Sequence, residues 1–293
     1  MNGNEVGQRW EARRQVLRRR GDGIANTDTY EVKKIPDATA RAFVVEHHYT
    51  GSYPVAVEAY GVFVDSRLSG VAVLSVPVNP RAITSVWGPG SDGLELGRFV
   101  LSPELPYNAE SYVISRVHRL VKKARPQLDG VIAFSDPMPR RSPSGIWSPG
   151  HVGQIYQATN MVYLGRSASR NLHFTESGTV LHARSLSKIR NGESGWKGGI
   201  QQLVEAGAVP PKCFEADTPD LDELRAWLPT QLARICEVRA HPGNLKYAAS
   251  YRRTPLTTPA QPYVKRAPAP DTLFASSSDA QTAIRTVIPG MAR

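Results

Sequence analysis

The chain has 293 residues, of which 41% are hydrophobic, and a formal net charge of +10. This length accommodates one large or two small domains, and the hydrophobic content is sufficient for a core. No apolar run approaches the roughly 18 residues that a membrane-spanning helix needs, and the polar, arginine-rich start is unlike a signal peptide, so we expect a cytoplasmic protein without a membrane partner. Cys213 and Cys236 are far apart and lack metal-site spacing, which predicts two reduced thiols.

Most of the positive charge lies at the two ends of the chain. Residues 1–20 carry six arginines against Glu5 and Glu11, a balance of +4, and residues 251–293 carry six basic residues against two acids, again +4. Basic ends on a nearly neutral body are typical of arms that bind a polyanion, and equally of solvated tails. From about residue 254 the chain is rich in Pro, Ser, Thr and Ala, which predicts disorder.

Strands and helices alternate through the middle of the chain. In chain order, the hydrophobic periodicity and the capping residues predict a short basic helix at 10–20, a strand at 30–35, a helix at 37–47, strands at 57–64 and 70–76, a loop at 77–93, a strand at 94–101, a helix that begins at Asn108, and a strand at 130–135. Residues 150–165 follow as a turn, a helix and a strand. The segment 171–250 has signals of both kinds, and Pro229 is expected to break a helix there.

Two candidate site residues follow predicted elements. Asp136 ends the apolar strand 130–135, and ligand sites of open α/β sheets lie at the carboxyl ends of strands. The alternative is an Asp that caps the turn before Pro137. His48 follows the first helix, beside Tyr49, whereas its neighbour His47 is equally well explained as a complement to the helix dipole. An imidazole and a carboxylate suit iron or another divalent metal, so His48 and Asp136 are candidate ligands.

The start of the basic helix is a second candidate region. Asn108 and Ser111 are placed to cap the helix, and its exposed amides favour a phosphate or a developing anion. Ser115 lies one turn further and extends the same polar edge. On the preceding strand, alternation places Glu95 and Arg98 on opposite faces. Arg98 is expected to contact a phosphate or a substrate carbonyl, with a solvent-facing arginine as the alternative.

Residues 150–165, GHVGQIYQATNMVYLG, form the most informative segment. Two glycines bracket His151, as where backbone must come close to another group. This segment, together with the run His48-Tyr49-Thr50-Gly51 and the region from Glu95-Leu96-Gly97-Arg98 to Asn108-Ala109-Glu110-Ser111, resembles the phage Mu Mom protein family. The resemblance covers roughly residues 40–190, with the three motifs in the same order.

The resemblance implies a GNAT-like fold, a mixed α/β central sheet flanked by helices, with a C-terminal extension and basic tails. We therefore expect a basic N-terminal arm at 1–28, a catalytic core at 29–170, an extension at 171–250 and a basic tail at 251–293.

The resemblance also implies a phage enzyme that adds a carbamoylmethyl group to the exocyclic N6 of adenine in double-stranded DNA and so protects the DNA from host restriction. The target base would be flipped out of the duplex. The expected catalytic residues are His48, Tyr49, Ser111, Asp136 and Tyr156, and the expected substrate-binding residues are Arg98, Asn108, Ser115, His151, Gln157 and Asn160. The family has been linked to iron, for which His48 and Asp136 are the candidate ligands.

The group donor is the least determined feature. A GNAT enzyme holds the pyrophosphate of coenzyme A at a glycine-rich turn, but here residues 102–107 contain Pro103, Pro106 and Glu104 and no glycine. The absence of glycine in this turn argues against acetyl-CoA as the donor and favours an aminoacyl donor such as glycyl-tRNA. The competing hypothesis is metal-assisted radical chemistry on a small donor. An acetyl-CoA-dependent N-acetyltransferase and a non-catalytic DNA-binding protein remain alternatives.

Overall fold

The computed structural model describes residues 6–19, 26–79, 81–141, 147–148 and 150–265. Its strands are β1 (Val6–Glu11), β2 (Arg14–Arg19), β3 (Tyr30–Ile35), β4 (Ala56–Val64), β5 (Arg67–Ser75), β6 (Gly93–Leu101), β7 (Gly130–Ser135), β8 (Arg140–Arg141), β9 (Trp147–Ser148), β10 (Val162–Arg166), β11 (Arg170–Thr175), β12 (Cys236–His241) and β13 (Leu245–Ser250). Its helices are α1 (Asp37–His47), α2 (Arg81–Trp87), α3 (Ala109–Ala124), α4 (Gln154–Gln157), α5 (Ala183–Asn191), α6 (Trp196–Glu205) and α7 (Leu221–Ile235). Within these ranges no helix is long and apolar enough to cross a membrane.

A seven-stranded mixed sheet is the centre of the first structural unit. Its strand order is β10-β13-β7-β6-β5-β4-β3, and every neighbouring pair is antiparallel except β6 and β7. The parallel pairing runs only from Gly93–Gly130 to Glu95–Ile132. Beyond this point β6 stays paired with β5, and β7 with β13. The sheet is therefore split between the carboxyl ends of β6 and β7.

Helices cover both faces of this sheet because its strands are apolar on both sides. On one face, Val113, Ile114, Val117 and Val121 of α3 join a large buried cluster with side chains of β4, β5 and β6. On the other face, Ala40 and Val44 of α1 pack against the alternate residues of the same strands. The mixed α/β fold predicted from the sequence is thus confirmed. Helix α3 packs on the sheet with its apolar side, so its polar side faces outwards.

The N-terminal segment differs from the sequence prediction. Instead of a basic helix over 10–20, β1 and β2 form a hairpin whose two turn residues, Ala12 and Arg13, have φ of 45° and 65°. Positive φ at both central residues is the geometry that matches the twist of a two-residue hairpin. Trp10 is buried in the α1-side cluster, and the amide of Arg13 donates to the carbonyl of His47 at 3.3 Å. The predicted helix is wrong because burial of Trp10 outweighs the local helical pattern. The hairpin belongs to the same unit as the sheet, whereas we expected a separate arm over 1–28.

Two other loop assignments are corrected by the structure. The expected loop at 77–93 contains α2, whose Val86 and Trp87 are buried. The chain from 254 onwards was expected to be disordered, but residues 254–265 are hydrogen-bonded to the core: the amide of Thr257 donates to the carbonyl of Val86, and that of Gln261 to the carbonyl of Tyr163, both at 2.8 Å. The remainder of the expected tail, 266–293, lies outside the described residues.

The second structural unit comprises Arg141 and residues 168–243 of the described chain. Its core is an apolar cluster to which α5, α6 and α7 contribute, and β11 pairs with β12. Helix α7 continues through Pro229, which we expected to break it, because Leu224, Leu228 and Leu232 are all buried in that cluster. The structure assigns β13 to the central sheet of the first unit, whereas the sequence placed all of 171–250 in one extension. Leu245 and Tyr247 of β13 are fully buried there.

Candidate active site

A cavity of about 490 Å³ lies where β6 and β7 separate. Its walls are formed by β6, the start of α3, the end of β7, the segment 150–158, the residues after α1 and part of β1. Most of the predicted site residues line this one cavity: His48, Tyr49, Arg98, Asn108, Ser111, Asp136, His151 and Tyr156. The split in the sheet therefore brings together the three sequence motifs that are separated along the chain.

His48 is a buried, neutral imidazole. Its Nδ1 accepts a hydrogen bond from the amide of Thr50 at 3.2 Å and lies 2.9 Å from the Oγ1 of the same residue. An Nδ1 that accepts the amide hydrogen leaves the ring proton on Nε2. Burial, and then the positive charge of Arg98 and the neighbouring His151, hold the pKa of His48 well below its usual value. The ring is therefore suited to donate a hydrogen bond from Nε2.

Tyr49 forms an aromatic wall of the cavity. Its ring stacks on His48 with centroids 4.4 Å apart and contacts Trp10 of the hairpin with centroids 4.7 Å apart. Because Trp10 is itself buried against the sheet, the stack fixes the orientation of Tyr49. A flat, electron-rich wall of this kind is suited to contact a planar heterocycle.

A bulge in β6 places Glu95 and Arg98 in the same cavity. The pairing with β5 changes register between Leu96 and Arg98, so that Gly97 is the extra residue. The sequence predicted opposite faces for Glu95 and Arg98, and this prediction is wrong because the inserted residue reverses the alternation. A side chain at position 97 would collide with the hydroxyl of Ser75, which explains the glycine there.

Glu95 is a functional candidate that the sequence argument missed. Burial raises its pKa from 4.5 to about 6, although the nearby Arg98 acts in the opposite direction. The Nε and Nη2 of Arg98 donate to the carbonyl and hydroxyl oxygens of Ser52, at 3.0 and 2.9 Å, which fixes the guanidinium beside the cavity. A carboxylate with a pKa close to the working pH can act as a general base. Gly97, a glycine inside a strand pattern, is the sequence signal that could have indicated this bulge.

Tyr156 is a buried phenol on α4. Burial, with the neighbouring Tyr49 and Glu95, raises its pKa, so it keeps its proton at neutral pH. Gly153 lies in the left-handed region, with φ of 71°, at the start of α4. A Cβ at this glycine would lie 2.7 Å from the ring of Tyr247 and 2.9 Å from the ring of Tyr156, so only glycine permits this packing.

The start of α3 contributes Asn108 and Ser111 to the cavity. Asn108 occupies the N-cap position, but its side chain makes no capping hydrogen bond there, whereas the Oγ of Ser111 donates to its carbonyl at 3.0 Å. Behind them, Arg9 of β1 forms a buried ion pair with Glu110 and donates to the carbonyl of Pro106 at 2.6 Å. The hairpin thereby holds the first turn of α3 in position.

Asp136 combines the two roles that the sequence left open. Its Oδ1 accepts the amide of Met138 at 2.9 Å, as a turn-capping residue does, and the residue also lines the cavity. The carbonyl of Asp136 accepts the amide of His151 at 2.9 Å, which fixes the position of that histidine. In the described part of the chain no three His, Cys, Asp or Glu side chains are grouped as a metal site requires. The donor set thus does not form a metal centre by itself, and the iron site stays a prediction.

Three predicted site residues lie outside the cavity lining. The Nε2 of Gln157 donates to the carbonyls of Val152 and Val264, at 3.2 and 3.1 Å, so its amide supports the segment structurally. Asn160 is an exposed turn residue with φ of 59°. Ser115 lies one helical turn beyond Ser111, is half-buried and does not line the cavity. The substrate contacts expected of these residues stay predictions.

Comparisons with known proteins give one family match. A model described as "Mom protein family" matches residues 29–213 of the chain. Among solved structures, the chain is similar to a "Tandem GNAT protein from the clavulanic acid biosynthesis pathway (without AcCoA)", with 10% sequence identity and a TM-score of 0.38, over 76% of this chain and 99% of that one. A similarity of this size supports no inference. No curated protein matches.

Proposed function

Because the chain belongs to the Mom protein family, a family of phage DNA modification, we propose that it is a transferase whose acceptor is the exocyclic N6 amine of adenine in double-stranded DNA. The product that we propose is N6-carbamoylmethyladenine, and the modification would protect the DNA from restriction in the infected host. One observation carries the proposal: the three sequence motifs meet around a single polar cavity of about 490 Å³. This volume is in the range of small-molecule sites and accommodates a flipped base.

The acceptor amine determines what the protein has to supply. The lone pair of the N6 amine is delocalised into the purine ring, so the amine is a poor nucleophile and must lose a proton as its new bond forms. Glu95, with a pKa of about 6, is a carboxylate at neutral pH and lines the cavity. We assign it the role of general base. Tyr49 is the wall on which the flipped base stacks.

The donor side of the reaction requires hydrogen-bond donors. Attack on an activated carbonyl carbon places negative charge on the carbonyl oxygen, and fixed donors stabilise that charge. His48 offers its Nε2 proton, and Tyr156 offers a phenol proton that its raised pKa retains. In this assignment His48 acts as a neutral donor and leaves proton removal to Glu95.

The donor that we favour is an aminoacyl ester such as glycyl-tRNA. Attack of N6 on the ester carbonyl forms an amide, releases the ribose hydroxyl of the tRNA, and gives an isomer of carbamoylmethyladenine. The free amine of the glycyl group then attacks C6 of the purine and the original C6–N6 bond breaks, so that the former N6 becomes the terminal amide nitrogen of the product. One feature disfavours coenzyme A: Pro103 and Pro106, in the turn before α3, have no amide hydrogen for a pyrophosphate.

The decisive experiment is mass spectrometry of nucleosides from the DNA of bacteria that express the chain. We expect a deoxyadenosine derivative that is heavier by the carbamoylmethyl group, and we expect the DNA of cells with the Glu95→Gln variant to lack it. Normal nucleosides alone, in cells that contain folded wild-type protein, would contradict the transferase and favour a non-catalytic DNA-binding protein. An acetylated nucleoside or protein would instead favour an N-acetyltransferase.

A further inference from the structure

The outer face of α3 carries four exposed cations. They are Arg116, Arg119, Lys122 and Lys123, and all four are exposed. In the part of the chain that the structure describes, none of them takes part in an ion pair. Glu110 is the only acidic residue of α3, and its carboxylate is buried against Arg9. The charge of this face is therefore not neutralised within the described structure.

Packing does not explain these residues. The helix is anchored by Val113, Ile114, Val117 and Val121, which lie on its opposite side and are buried. Two of the four cations, Lys122 and Lys123, lie in the last turn and complement the helix dipole. Arg116 and Arg119 lie further towards the middle of the helix, where the dipole effect has faded.

The cationic face is continuous with the active-site cavity. Ser111 lines the cavity, and residues spaced by four along a helix are neighbours on one side, so Ser115 and Arg119 continue the same stripe. With a rise of about 1.5 Å per residue, the cations from 116 to 123 extend over about 10 Å and begin about 8 Å from Ser111. A ligand that is bound in the cavity and extends along the outer face of α3 therefore contacts these cations.

We propose that this cationic face of α3 binds the phosphates of the DNA strand that flank the flipped adenine. The proposal rests on the proposed function, because it takes DNA as the partner. Consecutive phosphates of one strand advance about 3.4 Å along the duplex axis, so a stripe of about 10 Å matches roughly three of them. The cationic face thus binds the DNA backbone independently of sequence, beside the cavity, where it fixes the nucleotides on either side of the flipped base.

The test is the salt dependence of duplex binding. The variant is Arg116→Gln, Arg119→Gln and Lys123→Gln together, in the full chain. The matched control removes the same charge from exposed positions elsewhere, as Arg81→Gln, Arg190→Gln and Lys212→Gln. Each lost phosphate contact lowers the slope of log K against log salt by about 0.9, so we expect the slope of the α3 variant to fall by up to about 2.7. The control should match the wild type. Equal slopes for the two variants would overturn the proposal.

Two further measurements separate this proposal from its alternatives. Binding of total tRNA is measured in parallel. If the α3 variant loses tRNA binding but keeps the wild-type salt slope for duplex DNA, the cationic face binds RNA and the proposal is wrong. DNA modification is measured at low salt with excess duplex, where the α3 variant should recover most of its activity and Glu95→Gln should not. If wild-type protein modifies no DNA, the proposed function fails, while the slopes still report whether α3 binds the duplex.

Discussion

Replacing Glu95 by glutamine is expected to abolish DNA modification and, at the same time, to stabilise the fold at neutral pH. Glutamine keeps the size and polarity of the side chain but cannot accept a proton from the adenine amine. Loss of a positioned general base lowers turnover by about 10²- to 10⁴-fold. In the wild type, kcat/KM should rise as the pH increases through about 6, because Glu95 must be ionised to act.

The effect on stability follows from the same pKa. The carboxyl of Glu95 has a pKa of about 6 in the folded protein, against 4.5 as its ordinary value. Between these values the folded state binds more protons than the unfolded state, so the free energy of unfolding falls as the pH rises through this window. The difference between the two pKa values corresponds to about 2 kcal/mol of unfolding free energy. This contribution is present below pH 4.5 and is lost as the pH rises above 6. Glutamine carries no such cost, so the variant should be more stable than the wild type at pH 7 to 8 by up to about this amount.

The assay combines urea unfolding at several pH values with nucleoside analysis. Glu176→Gln is the control, because Glu176 is an exposed carboxylate of the second unit, and it should change neither quantity. A Glu95→Gln protein that is inactive and less stable at pH 7 would indicate that Glu95 only supports the fold. A Glu95→Gln protein with near-normal activity would refute the assignment of Glu95 as the base.

Three further predictions concern the remaining parts of the site. Glu110→Ala removes the carboxylate that pairs with the buried Arg9 and should lower the free energy of unfolding in urea by about 3 to 5 kcal/mol. Replacing Arg9 by Met as well should recover most of this loss, and an unchanged midpoint for Glu110→Ala would mean that the pair is not formed. His48→Ala should lower turnover by about 10²- to 10³-fold, whereas His48→Gln, which offers an N–H near the Nε2 position, should restore part of it; a base at this position would not be rescued. Calorimetric titration with acetyl-CoA should show no binding in the micromolar range, and micromolar binding with acetyl transfer to any amine would revive the acetyltransferase alternative.

Much of the fold is encoded locally in the sequence. The apolar stripe of α3 has helical period, and the run Gly130–Ser135 is continuously apolar, so both elements lie where the sequence predicts them. The motifs at His48, Arg98, Asn108 and His151 were identified through the resemblance to the Mom family, and the structure gathers them around one cavity. A local sequence pattern is sufficient to predict these two elements because the spacing of their own apolar residues defines what each of them buries.

Tertiary structure decided the features that depend on partners distant in the chain. The inward position of Glu95 results from a bulge that exists only through pairing of β6 with β5, and no periodicity within β6 alone contains it. The hairpin over 6–19 forms because Trp10 packs into the α1-side cluster and Arg9 pairs with the buried Glu110, about a hundred residues away. These contacts outweigh the helix propensity of the segment. The Nε2 of Gln157 donates to the carbonyls of Val152 and Val264, and the contact with Val264 is one that the residue type alone does not show. In each case the free energy of a long-range contact, which a sequence window does not contain, exceeds the local preference.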